Sequence, residues 1–584
     1  MTIGQGMETS RRPRWLTTGL FALALCLSGV AAAAVFSALG QPLTGIDDAN
    51  IFLTYARNLA RGDGFVYFPG GERIEGFTSF TWLLVCGACT WITPSPEFLL
   101  LGVSVVLNAV TWTACLIFLE ENVSGPLGDG TGRAVSFGAL AGAFLWWVLA
   151  SPGFIVWTTV TLMDTVLWST SVVCGTLAVA RLAGETGAAR RRLLRVACAW
   201  LGLIALTRPE SVFVIGTLVV GFWFFETSLT GTPGLSLRTS AVLVAVPVAC
   251  VGALTLFRLW YFGYPLPNTF YAKVSPDLLY NLRQGAKYLL GFLRRHPSVL
   301  LSLGAALSVM AAACFGPPVA QRSAASRIRA CRVAIVGLMG FAGLIPAVLT
   351  GGDHFAMFRH YQAYWPLFAI PLLALVGPWM VRMGTAIGGS RLWSRLPRRF
   401  VILAMAAVAV VSLPVCWAGF VRERGGGMVI EFTIASGERL RGWRLRQLAF
   451  PDRRLSLGVI TAGGVAYAYD GPVIDLMGLN SVAMGHSAGD RKGVKNHSAF
   501  NRDVFFQVSP DLLLIEGSPT SWHWSVLQNV RLDPRFPERY RWVGIVPRNN
   551  SGTSGDEEPL RLWCKAELLE GLRTTADVIE SDPD

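Results

Sequence analysis

Residues 45–62 read GIDDANIFLTYARNLARG and follow the first long apolar segment of the chain. Two adjacent carboxylates, Asp47 and Asp48, therefore stand where a membrane-spanning segment gives way to water. From Ile51 onward, apolar residues recur every four positions, which predicts a short amphipathic helix on the membrane surface. The acid pair has two interpretations: a helix cap with a neighbour that complements the helix dipole, or a catalytic base at the membrane interface.

The composition is that of a membrane protein. The chain has 584 residues, of which 52% are hydrophobic and 15% are charged, and its mean hydropathy is +0.48. A soluble protein carries roughly a quarter charged residues. The net charge is +13, but the arginines cluster in a few loops between apolar segments, which indicates membrane topology and not nucleic-acid binding. Among the eleven cysteines, only Cys564 lies in the polar C-terminal part, so no disulfide framework is expected.

Eleven apolar segments are predicted to span the membrane, in a polytopic α-helical protein. They are 15–39, 97–119, 134–151, 160–182, 194–207, 211–226, 239–259, 297–315, 332–350, 362–381 and 401–421. A further apolar segment, 78–92, is shorter than the roughly 20 residues that a span needs. The arginine-rich loops all fall on one side of the membrane only if 78–92 does not cross it. We therefore predict that 78–92 is an interfacial or re-entrant helix within a long outer loop, 40–96. The N-terminus is then cytoplasmic.

The chain changes character after residue 421, where the long apolar runs stop. We predict a transmembrane module over 1–421 and a small extracytoplasmic α/β domain over 422–584. Its expected strands are 457–461, 473–476, 512–515 and 542–546, and its expected helices are 432–448 and 521–532. The acidic end of the chain is expected to be disordered.

The predicted orientation gathers several charged motifs on the outer face. Asp164 stands just before an apolar helix, where a carboxylate requires a partner or a polar cavity; a helix cap is the alternative. Residues 207–210, TRPE, interrupt two apolar runs. They form either a hairpin turn with an ion pair between Arg208 and Glu210, or part of an anion site.

Two further outer loops combine cations with aromatic residues. The first, 258–273, begins with Arg258, ends with Lys273 and is stiffened by two prolines. Such a loop suits phosphate and the stacking face of a sugar, although aromatic residues belong at a membrane interface in any case. The second loop, 351–361, brings together Asp353, His354, Arg359 and His360. Their spacing is not a metal-ligand pattern, so phosphate or sugar binding is predicted.

Taken together, these motifs resemble the GT-C membrane glycosyltransferases, and most closely the mycobacterial arabinofuranosyltransferase B type. The matching stretches are 47–49, 55–59, 62–64, 69–78, 162–165, 207–210, 265–273, 351–359 and 473–479, so the resemblance extends over nearly the whole chain. The sequence departs from the family at Met163 and Asp164, where those proteins often have Gly and Glu. The acid is therefore one methylene shorter here.

The resemblance implies an inverting glycosyltransferase that uses a polyprenyl-phosphate sugar donor and an envelope glycan or glycolipid acceptor. It would act at the outer face of a bacterial cytoplasmic membrane, with arabinofuranose as one candidate sugar and mannose as another. Asp47, ahead of Asp48, would be the general base, and no metal, cofactor or nucleic acid is expected. The cations implied at the leaving phosphate are Arg208, Arg258, Lys273 and Arg359. The other implied substrate contacts are Arg57, Asp164, Glu210, Asn268, Tyr271, Asp353 and His354.

Two other classes of protein remain open at this point. A transporter or flippase would show internal repeats and charges at mid-membrane depth, whereas no repeat is visible and the charges collect at one face. A non-catalytic membrane component is the second alternative, since a flagellar motor-control group shares a similar membrane module and a fold alone does not fix function. The combination of the acid pair with the outer arginines favours an enzyme.

Overall fold

The computed structural model describes residues 14–124, 131–315, 323–388, 411, 413–423, 425–448, 450, 453–489, 491–493, 497–548 and 558–582. Its helices up to residue 388 are α1 (Arg14–Leu39), α2 (Asp47–Arg61), α3 (Phe80–Ile92), α4 (Glu97–Leu119), α5 (Thr131–Leu149), α6 (Pro152–Thr158), α7 (Thr165–Leu182), α8 (Gly187–Thr207), α9 (Ser211–Thr230), α10 (Pro233–Tyr261), α11 (Asn268–Lys273), α12 (Leu278–Arg295), α13 (Ser298–Phe315), α14 (Ala324–Ala342), α15 (Ile345–Leu349), α16 (Arg359–Gln362) and α17 (Trp365–Gly388).

The C-terminal part combines helices with strands. Its helices are α18 (Val429–Arg446), α19 (Gly464–Tyr469), α20 (Val482–Gly485), α21 (Arg502–Val508), α22 (Trp522–Val526), α23 (Arg535–Arg539) and α24 (Leu569–Thr575). Its strands are β1 (Leu457–Val459), β2 (Val473–Asp475), β3 (Leu512–Leu513), β4 (Tyr540–Pro547), β5 (Leu560–Lys565) and β6 (Ala576–Glu580).

The chain divides into two compact units. The first contains Met1–Gly40, Leu101–Ala253 and Gly285–Gly427, and the second contains Gln41–Leu100, Leu254–Gln284 and Met428–Asp584. The second unit thus joins the predicted outer loop and a short middle segment to the C-terminal tail. The division into a transmembrane module and a separate C-terminal domain at residue 421 stays a prediction.

Seven helical segments are long and apolar enough to span a membrane, or eight if the bent pair Phe137–Leu149 and Pro152–Thr158 counts as one, within the described ranges. The seven are Arg14–Leu39, Glu97–Val123, Thr165–Leu182, Ser211–Thr230, Pro233–Tyr261, Ser298–Phe315 and Ala324–Leu349. Each coincides with a predicted span. The chain is therefore an integral membrane protein built mainly from α-helices.

The predicted count of eleven spans is not confirmed. The segment 194–207 belongs to α8, whose N-terminal half carries four arginines, and the apolar part of α17, Trp365–Trp379, is too short. Most of 401–421 lies outside the described residues. The segment 78–92 forms the 13-residue helix α3, which is too short to cross a bilayer, as expected.

The tail contains a six-stranded sheet in the order β2-β1-β3-β5-β4-β6. Strand β1 pairs in parallel with β2 and β3, and the other pairs are antiparallel. All four predicted strands are present, but β5 and β6 were not predicted. The predicted helix 432–448 corresponds to α18, whereas 521–532 breaks into α22 and the short 3₁₀ helix Val530–Leu532. Part of the acidic end is ordered, since Glu580 ends β6, while Pro583 and Asp584 lie outside the described residues.

Candidate active site

The amphipathic helix predicted after the acid pair is α2, in the second unit. Its N-cap is Ile46, and it ends at Gly62, where φ is 89° and the N–H donates to the carbonyls of Asn58 and Leu59. Residues 49–56 of the helix are buried, and so is Asn58, which donates to the carbonyl of Val66. Arg61, in the last turn, is exposed.

Asp47 is the first residue of α2, but its side chain does not cap that helix. Its Oδ2 accepts from the backbone N–H of Gly463 at 2.9 Å, and its Oδ1 accepts from the N–H of Gly464 at 2.7 Å. The cap interpretation is therefore wrong for Asp47. Burial raises the pKa of Asp47 to about 6; the two N–H donors oppose this rise, and the charge of Asp48 adds to it.

Asp48 has a different environment from that of its neighbour. Its Oδ2 lies 3.8 Å from Nζ of Lys273, and the two side chains are 22% and 21% exposed. This distance fits an ion pair but is too long for a direct hydrogen bond. A partly accessible ammonium group thus stands beside the acid pair.

Arg258 is held by an acid that was not predicted as its partner. Its Nε and Nη2 donate to the two carboxylate oxygens of Glu75 at 2.7 and 2.8 Å, and the side chains are only 8% and 2% exposed. Burial raises the pKa of Glu75, against the lowering effect of Arg258. This bidentate ion pair is an internal contact of the protein. Glu75 lies in 69–78, one of the stretches that resemble the GT-C glycosyltransferases.

Three other predicted substrate contacts bind the tail within this unit. Arg57 pairs with Asp470 at 3.0 Å. The side-chain amide of Asn268 donates to the carbonyls of Gly478 and Leu479 at 2.6 and 3.1 Å. The ring of Tyr271 lies 4.2 Å from the ring of His486. These contacts assign the three side chains a structural role that sequence spacing could not reveal, since the partners are some 200 to 400 positions away.

In the first unit, Arg208 joins two acids. Its Nη1 donates to the carboxylate of Asp164 at 3.1 Å, and its Nη2 donates to Glu210 at 3.2 Å. Asp164 makes no helix-cap hydrogen bond, so its partner is the arginine, as a buried carboxylate requires. Burial raises the pKa of Glu210, but Arg208 and His360 outweigh it and hold that pKa at about 2.

The loop 351–361 forms the compact cluster that its sequence predicted, also in the first unit. The side chain of Asp353 is fully buried and lies 2.6 Å from Arg359, 3.3 Å from His354 and 3.5 Å from His360. The backbone turns through Gly351 and Gly352, whose φ values are 85° and 72°. Although burial raises the pKa of Asp353, Arg359 and the histidines hold it well below its usual value.

Arg208 and Arg359 line one cavity of the first unit together with Glu210, His360, Trp168 and Tyr364. Burial lowers the pKa of His360 to about 4, against the opposing effect of Asp353, so this imidazole is neutral at pH 7. Arg208 is paired with Asp164 and Glu210, and Arg359 is paired with Asp353. Across the described part of the chain, no group of three or more His, Cys, Asp or Glu side chains is placed to hold a metal ion.

Sequence reasoning missed Glu438 of α18, which lies near the acid pair in the second unit. Its carboxylate pairs with Arg441 at 2.9 Å. Burial raises the pKa of Glu438 to about 7, Arg441 lowers it and Asp47 raises it. The sequence offered no signal for this residue, because it lies almost 400 positions from Asp47 and in no recognisable motif.

No family model matches the sequence, and no curated protein is significantly similar to it. Among solved structures, the chain is similar to ArnT from Cupriavidus metallidurans bound to undecaprenyl phosphate, with a TM-score of 0.44 and 14% identity over 78% of this chain and 86% of that one. The apo state of ArnT gives a TM-score of 0.43 and 15% identity over the same shares. Both TM-scores lie below 0.5.

Proposed function

We propose that the protein is an inverting membrane glycosyltransferase that uses a polyprenyl-phosphate sugar donor. The acceptor is a cell-envelope glycan or glycolipid at the outer face of a bacterial cytoplasmic membrane, and arabinofuranose is the first sugar to test. The single observation that carries the proposal is the arrangement of Asp47, Asp48 and Lys273: two adjacent carboxylates, one with a raised pKa, beside a partly exposed ammonium group.

We assign the general base to Asp47. Its pKa of about 6 lies near the operating pH, where a base combines sufficient basicity with the ionised form. Its carboxylate is oriented by two backbone N–H groups, and each oxygen keeps a second lone pair for the acceptor hydroxyl. Asp48 faces Lys273 instead, and this assignment keeps the order that the sequence suggested.

The reaction is a single displacement at the anomeric carbon. The acceptor oxygen forms a bond to that carbon while its proton moves to the Asp47 carboxylate. The bond from the carbon to the phosphate oxygen breaks, and its electron pair leaves with the polyprenyl phosphate. Phosphate is a competent leaving group, so no acid catalyst is required. We assign to Lys273 the stabilisation of the negative charge that develops on the leaving phosphate.

The cations of the first unit remain proposed substrate contacts. Arg208 and Arg359 line one cavity, but each is already paired with carboxylates. An entering anion would therefore have to replace at least one of these pairs. We assign Arg258 a structural role, because its guanidinium group forms a buried ion pair with Glu75.

The test is sugar transfer in proteoliposomes that contain the purified protein. Radiolabelled polyprenyl-phosphate arabinose and polyprenyl-phosphate mannose are offered to wild type, Asp47→Asn and Asp48→Asn. Asp63→Asn is the matched control, because Asp63 lies on the same loop and is exposed. We expect Asp47→Asn to lose about 100- to 10,000-fold in rate, which is the usual contribution of a general base. Asp48→Asn should lose less, and the control should keep wild-type activity.

Two results would contradict the proposal. Equal activity of wild type and both variants would show that neither Asp47 nor Asp48 takes part in the reaction. Absence of transfer with either donor, together with movement of labelled lipid or solute across the bilayer, would favour a transporter or flippase.

A further inference from the structure

A short segment of the C-terminal tail is fixed to the acid-pair loop within the second unit. The hydroxyl of Tyr67 donates to the carbonyl of Ala462, and the next two residues donate their N–H groups to Asp47. At the far end of α19, Asp470 receives ion pairs from Arg57 and Arg61 at 3.0 and 2.9 Å. Residues 462–470 are therefore held at both ends by side chains of the outer loop.

Only glycine fits at the two positions that contact Asp47. A Cβ atom on Gly463 would lie 1.8 Å from the backbone oxygen of Asp47, and one on Gly464 would lie 2.5 Å from the carbonyl oxygen of Ala435 in α18. Both distances are far inside van der Waals contact. The absence of side chains thus allows the two amide groups to reach the carboxylate from close range.

We propose that Gly463 and Gly464 are positioning residues of the transferase site, so that the C-terminal tail takes part in catalysis by orienting the Asp47 carboxylate. This inference rests on the proposed function and adds a role for the tail. Two backbone donors on one ionised carboxylate form charge-assisted hydrogen bonds, which fix its direction more tightly than a single contact would. A base misplaced by about 1 Å loses on the order of 100-fold in rate.

The same two donors also influence the ionisation of Asp47. They favour the charged form and so counteract the effect of burial. Other titratable groups that interact with this carboxylate are Asp48, with Lys273 beside it, Asp475, Tyr67 and Glu438, whose own partner is Arg441. The carboxylates among them all oppose ionisation of Asp47. Because the amide donors are the groups that favour its charged form, loss of one donor is expected to raise the pKa of Asp47.

The experiment removes one donor without adding a side chain. Gly464 is replaced by glycolic acid during translation, which converts its amide N–H into an ester oxygen. A second variant, Gly463→Ala, displaces Asp47 by steric contact. Gly437→Ala is the matched control, because a Cβ on this glycine of α18 meets nothing within 4 Å. Two properties are measured: the pH dependence of transfer, and the pH dependence of carbodiimide labelling at Asp47 by mass spectrometry, since carbodiimides react with protonated carboxyl groups.

The ester variant should shift both midpoints upward by about one pH unit, the equivalent of one hydrogen bond to a charged group. Gly463→Ala should lose about 100-fold in transfer and Gly437→Ala should match wild type. An unchanged labelling midpoint in the ester variant overturns the inference, whether or not transfer is seen. A shifted midpoint in a protein that transfers neither sugar but moves labelled lipid or solute across the bilayer overturns the proposed function and reduces the contact to a structural one.

Discussion

At the scale of single residues, the acid pair has two unequal members. Asp47 is anchored by two backbone amides of the tail, whereas Asp48 faces Lys273 across 3.8 Å. Adjacent positions on a helix point about 100° apart, so neighbouring side chains meet different surroundings. The surroundings of the two acids therefore differ, and the proposed roles of Asp47 and Asp48 differ with them.

The pH dependence of transfer follows from the raised pKa of Asp47. A general base acts in its ionised form, so the rate should rise with pH and level off above the pKa of about 6. Measurement of the rate between pH 5 and 8 is expected to give an acid limb near pH 6, as an order-of-magnitude position. A profile that is flat over this range in wild type would assign the base to another group.

Loss of the Glu75 carboxylate should destabilise the protein. In Glu75→Gln the buried guanidinium of Arg258 keeps its charge but loses its ionised partner, which costs about 3–5 kcal/mol. Thermal unfolding in detergent would measure the loss as a lower Tm. The control is Arg573→Gln, whose pair with Glu580 is 52% and 46% exposed and is worth about 0–1 kcal/mol. Equal Tm values for the two variants would contradict the structural role of the buried pair.

At the scale of elements, the six-residue helix α11 connects the middle segment to the tail. Its first residue, Asn268, donates to carbonyls of the loop after β2, and its N–H donates to the carbonyl of Glu75 at 3.0 Å. A helix this short is not stable alone, so its position depends on these contacts. Asn268 therefore acts as a connector between separate stretches of one unit.

We expect Asn268→Ala to loosen the loop 476–485. The variant leaves the backbone carbonyls of Gly478, Leu479 and Ser481 without their amide donor, and faster hydrogen exchange in that segment would report the change. Asn281→Ala is the control, because Asn281 is equally buried but donates only within its own segment, to the carbonyl of Ser275 at 2.8 Å. Unaltered exchange in Asn268→Ala would show that other contacts hold the loop.

At the scale of the whole molecule, the arginine-rich loops predict the orientation in the membrane. If they are cytoplasmic and the tail is outside, a membrane-impermeant maleimide should label Thr520→Cys in intact cells. It should label Arg191→Cys only after the membrane is opened. The wild-type chain, with its native cysteines, gives the background signal. Labelling of Arg191→Cys in intact cells would reverse the predicted topology.

The sequence alone determined the features that depend on local pattern. Apolar length identified the seven segments that the structure confirms as candidate spans, and short apolar runs identified strands β1 to β4. It also grouped Asp353 with Arg359, because a short loop keeps its residues together. The count of eleven spans is not confirmed, because α8 carries arginines, the apolar part of α17 is short, and most of 401–421 lies outside the described residues.

Only the tertiary structure decided which charged groups are partners. Three such pairs are separated by about 180 to more than 400 positions: Arg258 with Glu75, Arg57 with Asp470, and Asp47 with the tail amides. Such pairing is set by how the chain folds back on itself, and no local pattern encodes it. The sequence therefore pointed to the acid pair as a site, while the fold decided that one acid is anchored by the tail and the other faces a lysine.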